Sequence, residues 1–216
     1  MKKNIKVSVL TPTIRVEGLR EVFEGLKNQS FRDFEWLTEV NTSGEVDFNE
    51  AMNKMIRRAK GELIVFVQDY IKIPPDGLQL FWDAYQKNPQ LYTAPVGKTL
   101  DGKEISWDWR IYRDTECNWM EWEIDYGAAP LSALKKIGGF DEEIDRLDSW
   151  TFGNVNAGFR ASLAGFKILN LKDNKAIAID HNKLVEHPFK DHCEPLFHNY
   201  RLDQFRMGLT LDYLSQ

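Results

Sequence analysis

Asp69 follows closely on the apolar run Leu63–Val67, and that position gives the chain its first candidate chemistry. A carboxylate at the end of a buried strand can hold a divalent metal, which would neutralise a diphosphate leaving group, or it can cap the loop before Pro74-Pro75. Three histidines, His187, His192 and His198, lie near Cys193 late in the chain. Their spacings match no structural zinc ligand set, so a loop is the better reading than a zinc centre. Four of the seven tryptophans, Trp107, Trp109, Trp119 and Trp122, fall in one short segment. Aromatic faces of this kind stack on sugar rings or fill a core.

The elements that must position these groups are legible in the periodicity. Residues 5–10 are β-branched and apolar and predict a strand that stops at Thr11-Pro12-Thr13. From Glu17, the residues Leu19, Val22, Phe23 and Leu26 recur at helical spacing, with an end near residues 28–30. Phe34–Val40 reads as a second strand. Asp47 can cap a second helix, whose stripe of Phe48, Ala51, Met52, Met55, Ile56 and Ala59 stops at Gly61. Leu63–Val67 has the continuous apolar character of a strand covered on both faces. Pro74-Pro75-Asp76 opens a third helix, and residues 91–96 give a further strand.

The second half is less regular. Residues 104–112 alternate weakly, and the tryptophan-rich stretch up to Ile124 reads as short strands or a loop. A short helix over 130–137 is stopped by Gly138-Gly139, a longer one covers 155–164, strands cover 166–171 and 176–180, and a last helix covers 200–214. The alternation predicts an α/β fold with a mostly parallel central sheet flanked by helices, in a single domain over 1–216. Ligands of such sheets bind at the carboxyl ends of the strands. That rule brings together the loops 11–16, 40–44 and 68–73.

Composition removes several alternatives. With 28 Lys+Arg against 33 Asp+Glu the chain carries −5, without the basic footprint of a nucleic-acid binder. At 43% apolar and 28% charged residues it has the balance of a folded protein. No apolar run approaches the ~20 residues of a membrane span, and the opening Met1-Lys2-Lys3 leads into no secretory h-region. Two cysteines, neither in a CxxC, fit a reducing, cytoplasmic setting.

Four segments carry a family resemblance. Residues 7–15, reading VSVLTPTIR, resemble the opening strand and nucleotide loop of GT-A-fold glycosyltransferases of the large inverting family. Residues 59–69, AKGELIVFVQD, resemble the helix, Gly-Glu and strand leading into its metal motif. Ile137-Gly138-Gly139-Phe140-Asp141-Glu142 resembles its acceptor-side motif, and residues 153–168 resemble its catalytic helix and following strand. The resemblance implies a nucleotide-sugar-binding half over 1–100 and an acceptor-binding half over 101–216.

It also implies roles. Thr11, Pro12, Thr13, Arg15 and Asn41 would lie along the nucleotide, with Arg15 adding charge to the diphosphate. Asp69 would face Mn²⁺ or Mg²⁺ with one acid where the family has Asp-x-Asp, and His181 occupies a place where some members supply a metal ligand. The family's acidic pair at the start of the late helix is replaced here by Gly153-Asn154. An amide orients a hydroxyl but takes no proton, so the base has to come from the preceding loop: Asp148, or else Asp145 or Asp141. Asp148 reads equally as a solvated loop acid, and Asn154 and Asn156 as helix caps. Trp107 and Trp109 form a candidate acceptor platform, and the late histidine loop or Lys183 would lie near the diphosphate.

The reading is therefore a transferase moving a sugar from a nucleotide diphosphate sugar to a saccharide or other hydroxyl acceptor. A catalytically silent GT-A domain is the alternative. A nucleotidyltransferase is disfavoured, because no Gly-rich, Lys-bearing phosphate loop follows the first strand.

Overall fold

The computed structural model describes residues 4–41, 48–89, 91–93, 96–97, 116–117, 119, 122, 124–144, 153–178 and 214–215. The first half runs β1 (Val7–Thr13), α1 (Gly18–Lys27), β2 (Phe34–Val40), α2 (Phe48–Arg58), β3 (Leu63–Val67), β4 (Ile71–Lys72), α3 (Gly77–Lys87), β5 (Leu91–Thr93) and β6 (Val96–Gly97). The second half runs β7 (Glu116–Cys117), β8 (Tyr126–Pro130), α4 (Leu131–Lys136), α5 (Gly153–Leu163), β9 (Ile168–Asn170) and β10 (Ala176–Ala178).

The main sheet has the order β2-β1-β3-β8-β5-β9-β7, and a small second sheet has the order β4-β10-β6. In the main sheet β2, β1, β3, β5 and β9 point one way, while β8 and β7 are antiparallel to their neighbours. The sheet is mostly parallel, as expected, with one antiparallel strand set into its middle.

Side-chain parity along the strands divides the interior into two cores. Val7 and Val9 of β1, with Leu63, Val65 and Val67 of β3, face Val22 and Leu26 of α1 and Leu78 and Phe81 of α3. Leu10, Ile64 and Phe66 face the other way, onto Met52, Met55 and Ile56 of α2, Leu134 of α4 and Ala157 and Ala161 of α5. The result is a sheet covered on both faces, which explains why β3 is apolar without alternation.

Several boundaries differ from the sequence reading. β1 continues through Thr11-Pro12-Thr13, because β2 pairs with it as far as Thr13 opposite Val40. β3 pairs only with Val7 to Leu10, so Pro12 lies where one flank of the strand has no ladder to break. The expected strand over 91–96 is two short strands serving different sheets, and β4 and β8 were not expected. β8 reads Tyr-Gly-Ala-Ala-Pro, without the β-branched residues that mark a strand. Its small side chains fit a buried slot between β3 and β5. α5 begins at Gly153, ahead of the expected residue 155. Phe23, placed on the apolar stripe of α1, is half exposed and tilted against Trp36.

The Asp47 cap, the alternation over 104–112 and most of the expected helix over 200–214 lie outside the described residues. Among the described residues no helix is long and apolar enough to cross a membrane.

Candidate functional site

From β1 the chain moves to β2 on one side and then crosses to β3 on the other, so strand order reverses at the carboxyl ends of β1 and β3. A crevice opens at such a reversal. Thr13 ends β1, Arg15 follows it, and Asp69 follows β3. Thr13 shares its face with Val7 and Val9, and Asp69 continues the parity of Leu63, Val65 and Val67, so both turn toward α1.

The three side chains meet. Arg15 donates to both carboxylate oxygens of Asp69, from Nη2 to Oδ1 at 2.5 Å and from Nε to Oδ2 at 3.2 Å. Thr13 Oγ1 lies 2.6 Å from Asp69 Oδ2 and 2.7 Å from the Arg15 carbonyl oxygen, the two acceptors for its one proton, and Oγ1 itself accepts the Arg15 backbone N–H at 2.8 Å. Asp69 is 7% exposed, so its charge is taken out of water and needs this compensation. Gly18, the first residue of α1, completes the wall. A Cβ there would stand 2.6 Å from the Asp69 carbonyl oxygen and 2.8 Å from its Cβ. The positive end of α1 therefore lies against the acid, and any larger residue would push it away.

Other expected nucleotide residues are placed differently. Asn41 comes in through its backbone, which donates to the Thr13 carbonyl at 2.8 Å and ties the end of β2 to β1. Thr11 is buried, and its Oγ1 accepts the Trp36 indole N–H at 3.0 Å, which assigns it to packing between β1 and β2. Pro12 is buried in the strand. Gln68 fixes the exit of β3 through its backbone, donating to the Asp125 carbonyl at 2.9 Å.

The second wall is built by α2, α4 and α5. Gly138 and Gly139 have φ of 78° and 82°, a left-handed pair that glycine adopts without strain and that ends α4. Asn53 of α2 then clamps Phe140 from both sides, donating to its carbonyl and accepting its N–H, each at 2.8 Å. Arg160 of α5 is buried and donates to the carbonyls of Ile137 and, at 2.7 Å, Gly139, while Asn156 orients its Nε at 2.8 Å. Asp141 is buried, and its Oδ1 accepts the Glu143 N–H at 3.1 Å, so this acid shapes the turn.

The N-terminus of α5 touches that of α2, since a Cβ on Gly153 would run into the Asn49 side chain. α2 starts at the carboxyl edge of the main sheet, so α5 presents Asn154 at that same edge. There Asn154 Nδ2 donates to the Trp122 carbonyl at 2.7 Å.

The tryptophan cluster divides. Trp122 is fully buried between Phe66 and Phe140, and Trp119 meets Phe159 edge-on at 4.8 Å. Both are packing residues. Trp107, Trp109, Asp145, Asp148, His181, Lys183, His187, His192, Cys193 and His198 lie outside the described residues.

The pairing of Arg15 with Asp69 is what the sequence reading missed. The pairing depends on β1 running on through Thr13, past the stop that the sequence places at Thr11-Pro12-Thr13.

No protein-family model matches the chain, and no curated protein matches it. Solved structures do. The chain is similar to residues 1–349 of S. aureus TarS in complex with UDP, at a TM-score of 0.64 and 16% identity, covering 82% of this chain and 61% of that one. The TarS complex with UDP-GlcNAc gives 0.63 and 16%, over 85% and 60%. The mannosyltransferase PcManGT from Pyrobaculum calidifontis, in complex with GDP-Man and Mn²⁺, gives 0.61 and 12%, over 97% and 64%. The chain has a GT-A-like fold. It spans less than two thirds of the length of each of these neighbours, and at such identities the likeness is one of fold.

Proposed function

We propose that this chain transfers a sugar from a nucleotide diphosphate sugar to a hydroxyl acceptor. The observation that carries the reading is the convergence of Thr13, Arg15 and Asp69 at the β1/β3 reversal of a fold whose neighbours hold UDP, UDP-GlcNAc and GDP-Man. The strand ends offer a guanidinium to a diphosphate, and its charge favours the anion. Transfer then follows from position. The acceptor oxygen attacks the anomeric carbon, the bond from that carbon to the diphosphate breaks, and a base takes the acceptor's proton, with inversion. Asp148 is our assignment for that base, Asn154 for a group that orients the acceptor hydroxyl, and Trp107 and Trp109 for the acceptor platform. A cytoplasmic setting belongs to the same reading.

A divalent cation, Mn²⁺ or Mg²⁺, is what the family resemblance asks for, and Mn²⁺ accompanies GDP-Man in one neighbour. The described residues do not fit it. Asp69 has both oxygens engaged by Arg15 and Thr13, Gln68 adds no charge, and no group of three His, Cys, Asp or Glu side chains gathers among the described residues. His181, the other ligand that the resemblance implies, lies outside the described residues.

The silent-domain alternative draws on one contact. The Asn154 amide is spent on the Trp122 carbonyl, a bond that an aspartate could not donate. Turnover separates the two readings. Purified protein incubated with UDP-, GDP- and dTDP-sugars should release nucleotide, slowly in the absence of acceptor, and Asp148→Asn should lower that turnover more than donor affinity. Nucleotide binding without any release would favour the silent domain.

A further inference from the structure

We propose that Arg15 takes the place of a divalent cation at this site, so that a nucleoside diphosphate binds through its guanidinium with no requirement for metal. The inference rests on the nucleotide-sugar reading above and specifies what meets the diphosphate.

The geometry around Asp69 carries it. A carboxylate that serves a metal must turn at least one oxygen toward the ion. Here Oδ1 holds Arg15 Nη2, and Oδ2 holds both Arg15 Nε and Thr13 Oγ1. An ion placed at either oxygen would stand beside a fixed positive charge, where the acid is 8% and the arginine 16% exposed and screening is weak. The usual second carboxylate of Asp-x-Asp would offset such repulsion, but the residues two before and two after Asp69 are the apolar Val67 and Ile71.

Arg15 is also held as a preorganised cation. Its backbone N–H is fixed by Thr13 Oγ1 at 2.8 Å, and its Nε and Nη2 are fixed by Asp69, which aligns the planar fork. Nη1 makes no hydrogen bond among the described residues, and an ionised diphosphate has acceptor oxygens for it. Asp69 is thus a positioning residue, which acts on the diphosphate through Arg15.

Calorimetric titration of UDP and of GDP into the full chain, in EDTA and then with Mn²⁺, tests the proposal. The expected affinity in EDTA is within about threefold of that with Mn²⁺, a difference well below one decade. Arg15→Ala should weaken binding in EDTA by about tenfold or more and should regain part of it with Mn²⁺, because Asp69 is then released to hold the ion. The same variant, and not the parent, should bind Mn²⁺ alone, read from the loss of the free-ion electron paramagnetic resonance signal. Arg15→Lys, which keeps the charge and loses the fork, should fall between the two. Parent binding that disappears in EDTA overturns the inference alone. Arg15→Ala binding as tightly as the parent in EDTA does so as well. Absence of nucleotide binding in every condition overturns it together with the reading on which it rests.

Discussion

At the scale of single residues, buried polar side chains do most of the positioning, and each can be removed to see what it holds. Arg160 makes three such hydrogen bonds among the described residues. Its guanidinium satisfies the carbonyls of Ile137 and Gly139 and is oriented by Asn156, all in an interior where water cannot substitute. Arg160→Ala should therefore cost about 3 kcal/mol, because acceptors are left without donors. Urea unfolding measures it, and a loss below about 1 kcal/mol would mean that the turn before Phe140 holds itself. The family resemblance pointed to this stretch, but the sequence did not reveal the contact. Arginine in a helix normally reads as a solvated face, and only packing against the left-handed Gly138-Gly139 pair turns it inward.

At the scale of elements, the corner joining β1, α2 and β3 shows why a motif can be rigid in its residues. Ser8 Oγ donates to Glu35 at 2.7 Å and accepts the Gly61 N–H at 2.9 Å, so β1 takes up the backbone that enters β3. Gly61 lies so close that a Cβ would stand 2.5 Å from the Ser8 nitrogen and 2.6 Å from the Val7 carbonyl carbon. Neither atom can move, since β1 is paired on both sides here. Gly61→Ala should destabilise by about 2 kcal/mol through this overlap, seen as a lower Tm, and an unchanged Tm would contradict the packing. The helix stop at Gly61, and the element types from β1 to α3 apart from β4, were legible because apolar spacing and turn residues agreed there. β8 was not, since burial on both faces lets small residues form a strand without any strand-like pattern. β4 and β6 were too short for a period to show.

At the scale of the whole molecule, the first core is tied to the far end of the chain by one buried network. Tyr126 Oη of β8 donates to Asn174 at 2.8 Å, and Asn174 donates to the Gly77 carbonyl at the start of α3 at 3.0 Å. Burial raises the Tyr126 phenol well above its ordinary value, and the charge of Asp76 adds to the rise. The sign follows from linkage. The unfolded phenol ionises near pH 10 while the folded one stays neutral, so the stabilisation is full below about pH 10 and falls as pH rises above it. Unfolding in urea at successive alkaline pH should show that decline, and Tyr126→Phe should flatten it at the cost of the Asn174 bond. An equal slope in both proteins would contradict the assignment.

The place of Thr13, Arg15 and Asp69 at the ends of β1 and β3 was legible from the α/β alternation. Their mutual pairing was not, because it depends on which face of adjacent strands each residue takes. That pairing is the centre of the functional account. A crystal structure of the chain with UDP or GDP tests it most directly. The account predicts the diphosphate within hydrogen-bonding distance of the Arg15 guanidinium, at the carboxyl ends of β1 and β3 and against the N-terminus of α1. A nucleotide bound elsewhere on the molecule, with Arg15 and Asp69 still closed on each other, would contradict it.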